Sequence, residues 1–209
     1  MKEWECSVCG HIHEGEEPPL KCPVCKAEKE KFFALDALEE TVSQIEPEKD
    51  AVETRTESPI RKGLNISDLI LDNHLHPISV HGPNGIIPVA VVFLVLIVLF
   101  QFSGLEGAVY FNMIAVLLSM PLVILTGYTT WQKKYKGVKT SVFKIKIAAS
   151  CVATVVLLGL VVWRTVQPDV LTTDSLDRWL FLMWSLLLLA AVGLAGHLGG
   201  QLVFAKNSK

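Results

Sequence analysis

Four cysteines in two Cys-x-x-Cys pairs, Cys6/Cys9 and Cys22/Cys25, are the residues of this chain best suited to chemistry. Each pair forms a tight turn whose backbone N–H groups point at sulfur. Two such turns facing each other place four thiolates tetrahedrally about one metal. The spacing admits a zinc ribbon, which has no electron chemistry, as well as an iron site. A head of about 33 residues is too small for its core alone to keep it folded, so metal binding supplies much of its folding free energy. The fifth cysteine, Cys151, stands alone in an apolar run and reads as a small core or lipid-facing residue.

Histidines form the second group. His74, His76 and His81 precede the first long apolar run, and His197 lies within the last. Ionisable residues inside membrane segments are costly and mark function by default. Gly193, Gly196, His197 and Gly200 follow the i, i+3, i+4, i+7 pattern of one helix face. That stripe admits either a neighbouring helix backbone or a flat macrocycle, and taken alone it favours packing. On one continuous helix His76 and His81 would point about 140° apart. Pro83 is expected to break the helix there, since its ring excludes the bond to Ser79. His81 is then the first choice to meet His197, with His76 in reserve and His74 at the interface.

The elements that must hold these groups follow from composition. The chain has 209 residues, 51% of them hydrophobic, with a mean hydropathy of +0.42. That is too apolar for an ordinary soluble domain. Most of the apolar content follows residue 80, so four regions are expected: a metal-binding head over 1–34, a flexible acidic linker over 35–63, an interfacial and broken lead-in segment over 64–82, and a transmembrane domain over 83–205. A short helix is expected through 34–45 and an amphipathic stretch over 65–71. Four runs are long enough to cross the hydrocarbon layer: Ile86 to Phe102, Ala108 to Thr130, Val142 to Val162 and Leu180 to Phe204.

The net charge of -2 says little about partners, and nothing points to nucleic acid. Its distribution says more. Lys133, Lys134, Lys136, Lys139, Lys144 and Lys146 flank the second inter-helix loop, the first loop has no lysine, and the third is acidic between Arg164 and Arg178. The lysine bias puts the second loop in the cytoplasm, and with it both termini. Lys206 and Lys209 agree. No apolar leader precedes Cys6, which also keeps the head in the reducing compartment that four metal-spaced cysteines favour.

Two resemblances sharpen the reading. Cys6-Ser7-Val8-Cys9-Gly10 through Cys22-Pro23-Val24-Cys25, with Trp4 and Phe32/Phe33 closing an aromatic core, resembles the short rubredoxin domain of rubrerythrins. That resemblance implies a mononuclear iron held by Cys6, Cys9, Cys22 and Cys25, with His11 and His13 at the surface. Two residues depart from it: His11 stands where tyrosine is usual, and Lys26 where glycine commonly follows the last cysteine. Rubrerythrin's diiron Glu-x-x-His signatures are absent, so its peroxidase activity is not inherited. The segments His76-Pro77-Ile78-Ser79-Val80-His81-Gly82-Pro83 and Gly196-His197-Leu198-Gly199-Gly200 resemble an uncharacterised prokaryotic family of four-helix membrane domains. That family recurs beside redox modules, including Rieske-type ones, and is suspected of binding haem. The resemblance turns the glycine stripe from packing toward a b-type haem held by His81 and His197, with His76 in reserve.

The fold expected is a small rubredoxin-like domain of short β-strands and knuckle turns, joined to an all-α four-helix transmembrane bundle. The function expected is electron transfer in a prokaryotic inner membrane, from a cytosolic donor such as a rubredoxin reductase, through the four-cysteine iron and haem b, to a quinone or an oxygen species. The chain would then be a membrane oxidoreductase among lipids and a candidate homo-oligomer. One alternative is a non-haem metal site on His76, His81 and His197, with Asp72, that reduces oxygen or peroxide. Another is a zinc ribbon docking on a membrane scaffold.

Overall fold

The computed structural model describes residues 2–35 and 66–204. The helix expected through 34–45 and nearly all of the linker lie outside the described residues, as do Lys206 and Lys209.

The head is a three-stranded antiparallel sheet in the order β2-β1-β3, built from β1 (Lys2–Cys6), β2 (Ile12–Gly15) and β3 (Phe32–Ala34). Trp4 pairs with His13 on one side and Ala34 on the other, and Cys6 pairs with Phe32. The period of two puts Trp4 and Cys6 on one face of β1. The Trp4 indole N–H donates to the Gly15 carbonyl at 3.2 Å, tying the far end of β2 to the central strand. Lys29 closes the remaining loop at the surface, with its Nζ 3.0 Å from the Glu17 carboxylate.

Five α-helices follow among the described residues. The short α1 (Ile66–Asp72) leads into four long ones: α2 (Leu75–Phe100), α3 (Glu106–Lys133), α4 (Ser141–Val166) and α5 (Leu176–Phe204). At 1.5 Å per residue even the 26-residue helices reach about 39 Å, more than the hydrocarbon layer requires. The lead-in is broken, but at Asn73–His74, where His74 takes a left-handed φ of 52°, and not at Pro83. Helix α2 runs unbroken through Pro83 and Pro88. Pro77 falls in its first turn, where backbone N–H groups have no partner to lose. The two inner prolines each cost one backbone bond, which a helix packed among other helices tolerates.

Helices α2 and α3 pack along their lengths, as do α4 and α5, and α2 lies against α5. The core between them is Ile87, Leu94, Val109, Met113, Leu157, Leu160, Phe181 and Leu188, all essentially inaccessible. The outward faces are just as apolar: Phe111, Leu118, Val155 and Met183 are exposed. Helices apolar all round belong in lipid, and all four long helices meet the length and hydropathy of a span, so this is a multi-pass membrane protein. At the end far from the head, Arg164 pairs with Glu106 at 3.6 Å and lies over the Tyr110 ring, tying α4 to the start of α3.

The head sits on the other end. Cys6, Val8, Cys22, Cys25 and Ala27 share one buried cluster with Tyr135 of the α3–α4 loop, Val142 and Phe143 of the first turn of α4, and Leu202 near the end of α5.

Candidate metal centre

The two cysteine turns are built alike. In the first, the Gly10 N–H bonds the Cys6 carbonyl at 2.8 Å; in the second, the Lys26 N–H bonds the Cys22 carbonyl at 3.0 Å. Each turn then aims two more N–H groups at sulfur: Cys9 at the Cys6 thiolate and His11 at Cys9, Cys25 at Cys22 and Ala27 at Cys25. The residue after each second cysteine is left-handed, Gly10 at φ 73° and Lys26 at φ 59°. The resemblance placed a glycine at Lys26, and the backbone shows why. An L-residue in that region costs about 1 kcal/mol, which this chain sustains at Lys26. The N–H that reaches the Cys25 sulfur nevertheless belongs to Ala27 and not to residue 26.

The four sulfurs meet. Cys6 Sγ lies 3.7 Å from Cys25 Sγ and Cys9 Sγ lies 3.6 Å from Cys22 Sγ, and all four lie within 4.8 Å of one another. A tetrahedron with metal–sulfur bonds near 2.3 Å has edges of about 3.8 Å, so the donor set fits one tetrahedral ion. The cluster also needs a cation. The hydrogen bonds of Cys25 and Cys6 hold the Cys22 thiol well below its ordinary range, while Cys22 and Cys25 push Cys9 far above it. Four thiolates this close cannot all ionise until a metal compensates their charge. Cys6, Cys22 and Cys25 are buried and Cys9 is partly exposed, so one edge of the site faces outward. His11, expected at the surface, is buried at 9% exposure. Its carbonyl accepts from the Cys6 N–H at 2.9 Å, so the backbone pairing that shapes the turn carries it inward.

Tyr135 was not anticipated. It is 5% exposed, and its phenol is pushed up to about 12 by burial first and then by the charge of Cys9 and Cys25. Its ring centroid lies 5.0 Å from that of Phe143, so an aromatic pair ties the α3–α4 loop to α4 within the cluster that holds the cysteines. In sequence Tyr135 is hidden among Lys133, Lys134 and Lys136, whose charge reads as orientation. A lone aromatic in that run was the available signal.

The membrane histidines lie in different settings. His74 is exposed, with Nδ1 3.3 Å from the Asp72 carbonyl. His76 is half-buried against α3: its Nδ1 lies 3.2 Å from Thr126 Oγ1, which also meets Ser79 Oγ at 3.1 Å. Gly127 makes the room, since a Cβ there would come within 3.0 Å of the His76 ring. His81 is exposed on the opposite side of the continuous helix. His197 is exposed too, its Nε2 accepting from the Gln201 amide at 3.0 Å. Among the described residues, the four cysteines are the one group of three or more such donors gathered closely enough for a metal, so His76, His81, His197 and Asp72 do not assemble the non-haem alternative. The glycine stripe divides in use. Gly196 receives the Asn84 carboxamide of α2, where a Cβ would come within 3.0 Å, while Gly193 and Gly200 have open space before them. Lys146, read as a flanking charge, instead turns inward, its Nζ against Gly199.

Known proteins match the two parts of the chain separately. The family model for the rubredoxin-like domain of rubrerythrin matches residues 4–33. Reverse rubrerythrin-1 of Clostridium acetobutylicum is 54% identical over 35 residues, which are 17% of this chain and 19% of that protein, so the chain spans about a fifth of that relative's length. No solved structure matches. The model described as predicted membrane protein (DUF2231) matches residues 73–208, well over half of the chain. From its lead-in segment through its four spanning helices, with a rubredoxin-like metal-binding head in front of them, the chain therefore belongs to the DUF2231 family of predicted membrane proteins.

Proposed function

We propose that this protein carries electrons between a cytosolic donor and an acceptor in the membrane. The observation that carries the reading is the seating of a four-thiolate site on the end of a membrane bundle, with the Tyr135–Phe143 pair in the buried cluster they share. Iron bound by Cys6, Cys9, Cys22 and Cys25 supplies one-electron transfer. The chain's own residues do the rest. Four N–H groups aimed at sulfur stabilise the more reduced, more negative state, and burial of three cysteines keeps water away. The outward edge at Cys9 suits a soluble partner such as a rubredoxin reductase. Tyr135, held neutral, adds no charge to the path.

The lysine bias of the α3–α4 loop and the thiolate chemistry support a cytoplasmic head and cytoplasmic termini. The onward acceptor is a quinone or an oxygen species. The test is anaerobic reduction of the full-length protein in vesicles, followed at the thiolate-to-iron absorption. Reoxidation on adding a membrane acceptor is expected. A colourless, zinc-loaded preparation from iron-replete cells, or iron bands that no membrane acceptor restores, overturns the reading.

A second reading keeps a b-type haem. His197 stands beside the open positions Gly193 and Gly200, and His81 lies one turn before Asn84, which touches Gly196. Haem held by this pair would sit on the outside of the bundle. The interior candidate, His76, is closed off by Gly127 and Thr126. A reduced alpha band in purified protein, lost in His197→Ala while the head's iron bands persist, supports this reading. A full haem spectrum in that variant ends it.

A further inference from the structure

We propose that the groove between the end of α3 and the first two turns of α4 binds the headgroup of a membrane quinone; this deepens the electron-carrying reading and rests on it. The groove is open to its surroundings, holds about 320 Å³ and is lined by Trp131, Lys139, Phe143, Lys144, Ile147 and Ala148. That volume suits one aromatic ring, at the lower end of small-molecule sites, and is far too small for a two-chain phospholipid. Two aromatic side chains, Trp131 and Phe143, contribute to its walls. Trp131 is held in place because its indole N–H donates to the Val138 carbonyl at 3.0 Å, which leaves the ring itself as the wall. Phe143 lines the groove from α4 and is itself buried.

The walls are almost wholly apolar, with Lys139 and Lys144 lining them through their carbon stems. Among the described residues no carboxylate pairs with either ammonium group, so both are left to a ligand's headgroup. A quinone presents two carbonyl oxygens that accept hydrogen bonds, and these gain negative charge as it is reduced, so cationic donors favour it. A lipid phosphate would satisfy the lysines but would make no use of the aromatic walls. The groove also opens the right way: Ile147 and Ala148 are exposed on the lipid-facing side of α4, giving an isoprenoid tail a path into the bilayer.

Continuity with the head distinguishes this groove from a general interfacial cleft. Phe143 belongs both to the groove wall and to the buried cluster that contains the cysteines. Its partner Tyr135 lies close enough to Cys9 and Cys25 to feel their charge. A ring seated on Phe143 is therefore one aromatic pair away from the metal's thiolate shell.

The test uses the full-length, metal-loaded protein in phosphatidylcholine nanodiscs, titrated with a naphthoquinone carrying two isoprene units. Saturable quenching of tryptophan fluorescence is expected, with its saturable part lost in Trp131→Phe. Ile147→Trp, at a lipid-exposed position, should fill the groove and abolish saturable binding without changing the helical signal or the head's metal absorption. Lys139→Ala with Lys144→Ala should weaken binding by about tenfold or more, with the same controls. Quenching that survives Ile147→Trp, or that phosphatidylglycerol displaces completely, overturns the site. If the reduced head is still reoxidised by membrane acceptors when the groove fails these tests, only the groove assignment falls. A head that no acceptor reoxidises, with quinone binding intact, removes the electron-carrying reading instead.

Discussion

At Lys26 the chain sustains a left-handed backbone with an ordinary side chain, in the same place where the other turn uses Gly10. Lys26→Gly should therefore raise the stability of the metal-loaded head by about 0.5–1 kcal/mol, since relief of strain outweighs the added freedom of the unfolded chain. Chemical denaturation followed at the metal absorption checks it, and an unchanged midpoint would mean that the strain is offset elsewhere. Tyr135 makes a second residue-scale prediction. Its folded pKa, pushed up to about 12 from 10.0 by burial and by Cys9 and Cys25, lies above its unfolded value. The neutral phenol's contribution to head seating is therefore complete below pH 10 and lost as pH rises toward 12. Energy transfer between a label on the head and one on the bundle should fall in that window. In Tyr135→Phe the fall should be absent, although Lys134 beside the ring is kept.

At the scale of elements, glycines decide how polar side chains enter an apolar bundle. Gly127, Gly196 and Gly199 give room to His76, Asn84 and Lys146 respectively, whereas Gly159 has nothing near it. Gly127→Ala should destabilise the α2–α3 pair by about 1–3 kcal/mol, because its Cβ would meet the His76 ring at 3.0 Å. Gly159→Ala should be neutral or stabilise by up to about 1 kcal/mol. Thermal unfolding in detergent compares the two, and equal effects would refute the packing argument. The stripe at Gly193, Gly196 and Gly200 was legible as a special face in the sequence. Its use was not, because one glycine meets a carboxamide and the other two meet open space, and that depends on which residues α2 presents. The unbroken α2 has a similar cause. Pro83 weakens the helix locally, yet neighbouring helices hold it, so the break fell at His74 instead.

At the scale of the molecule, head and bundle share one buried cluster, and its weakest shared member should govern them jointly. Tyr135→Ala should leave the metal bound but free the head from the bundle, lowering energy transfer between a label on each. Unchanged transfer would show that Val142, Phe143 and Leu202 suffice. Lowering the pH should release the metal as the thiolates take up protons, and should unfold the head with it, while the four helices keep their circular dichroism. The sequence by itself determined the two parts: cysteine spacing specifies a tetrahedral sulfur site whatever surrounds it, and long apolar runs specify spanning helices because backbone groups must be satisfied within lipid. Only the tertiary structure decided which side chains meet across those parts. That is why His81 and His197 turned outward, why Lys146 turned inward, and why Tyr135 came to lie against sulfur. Such contacts depend on the rotation of each helix about its axis, which neighbouring surfaces set and local composition does not.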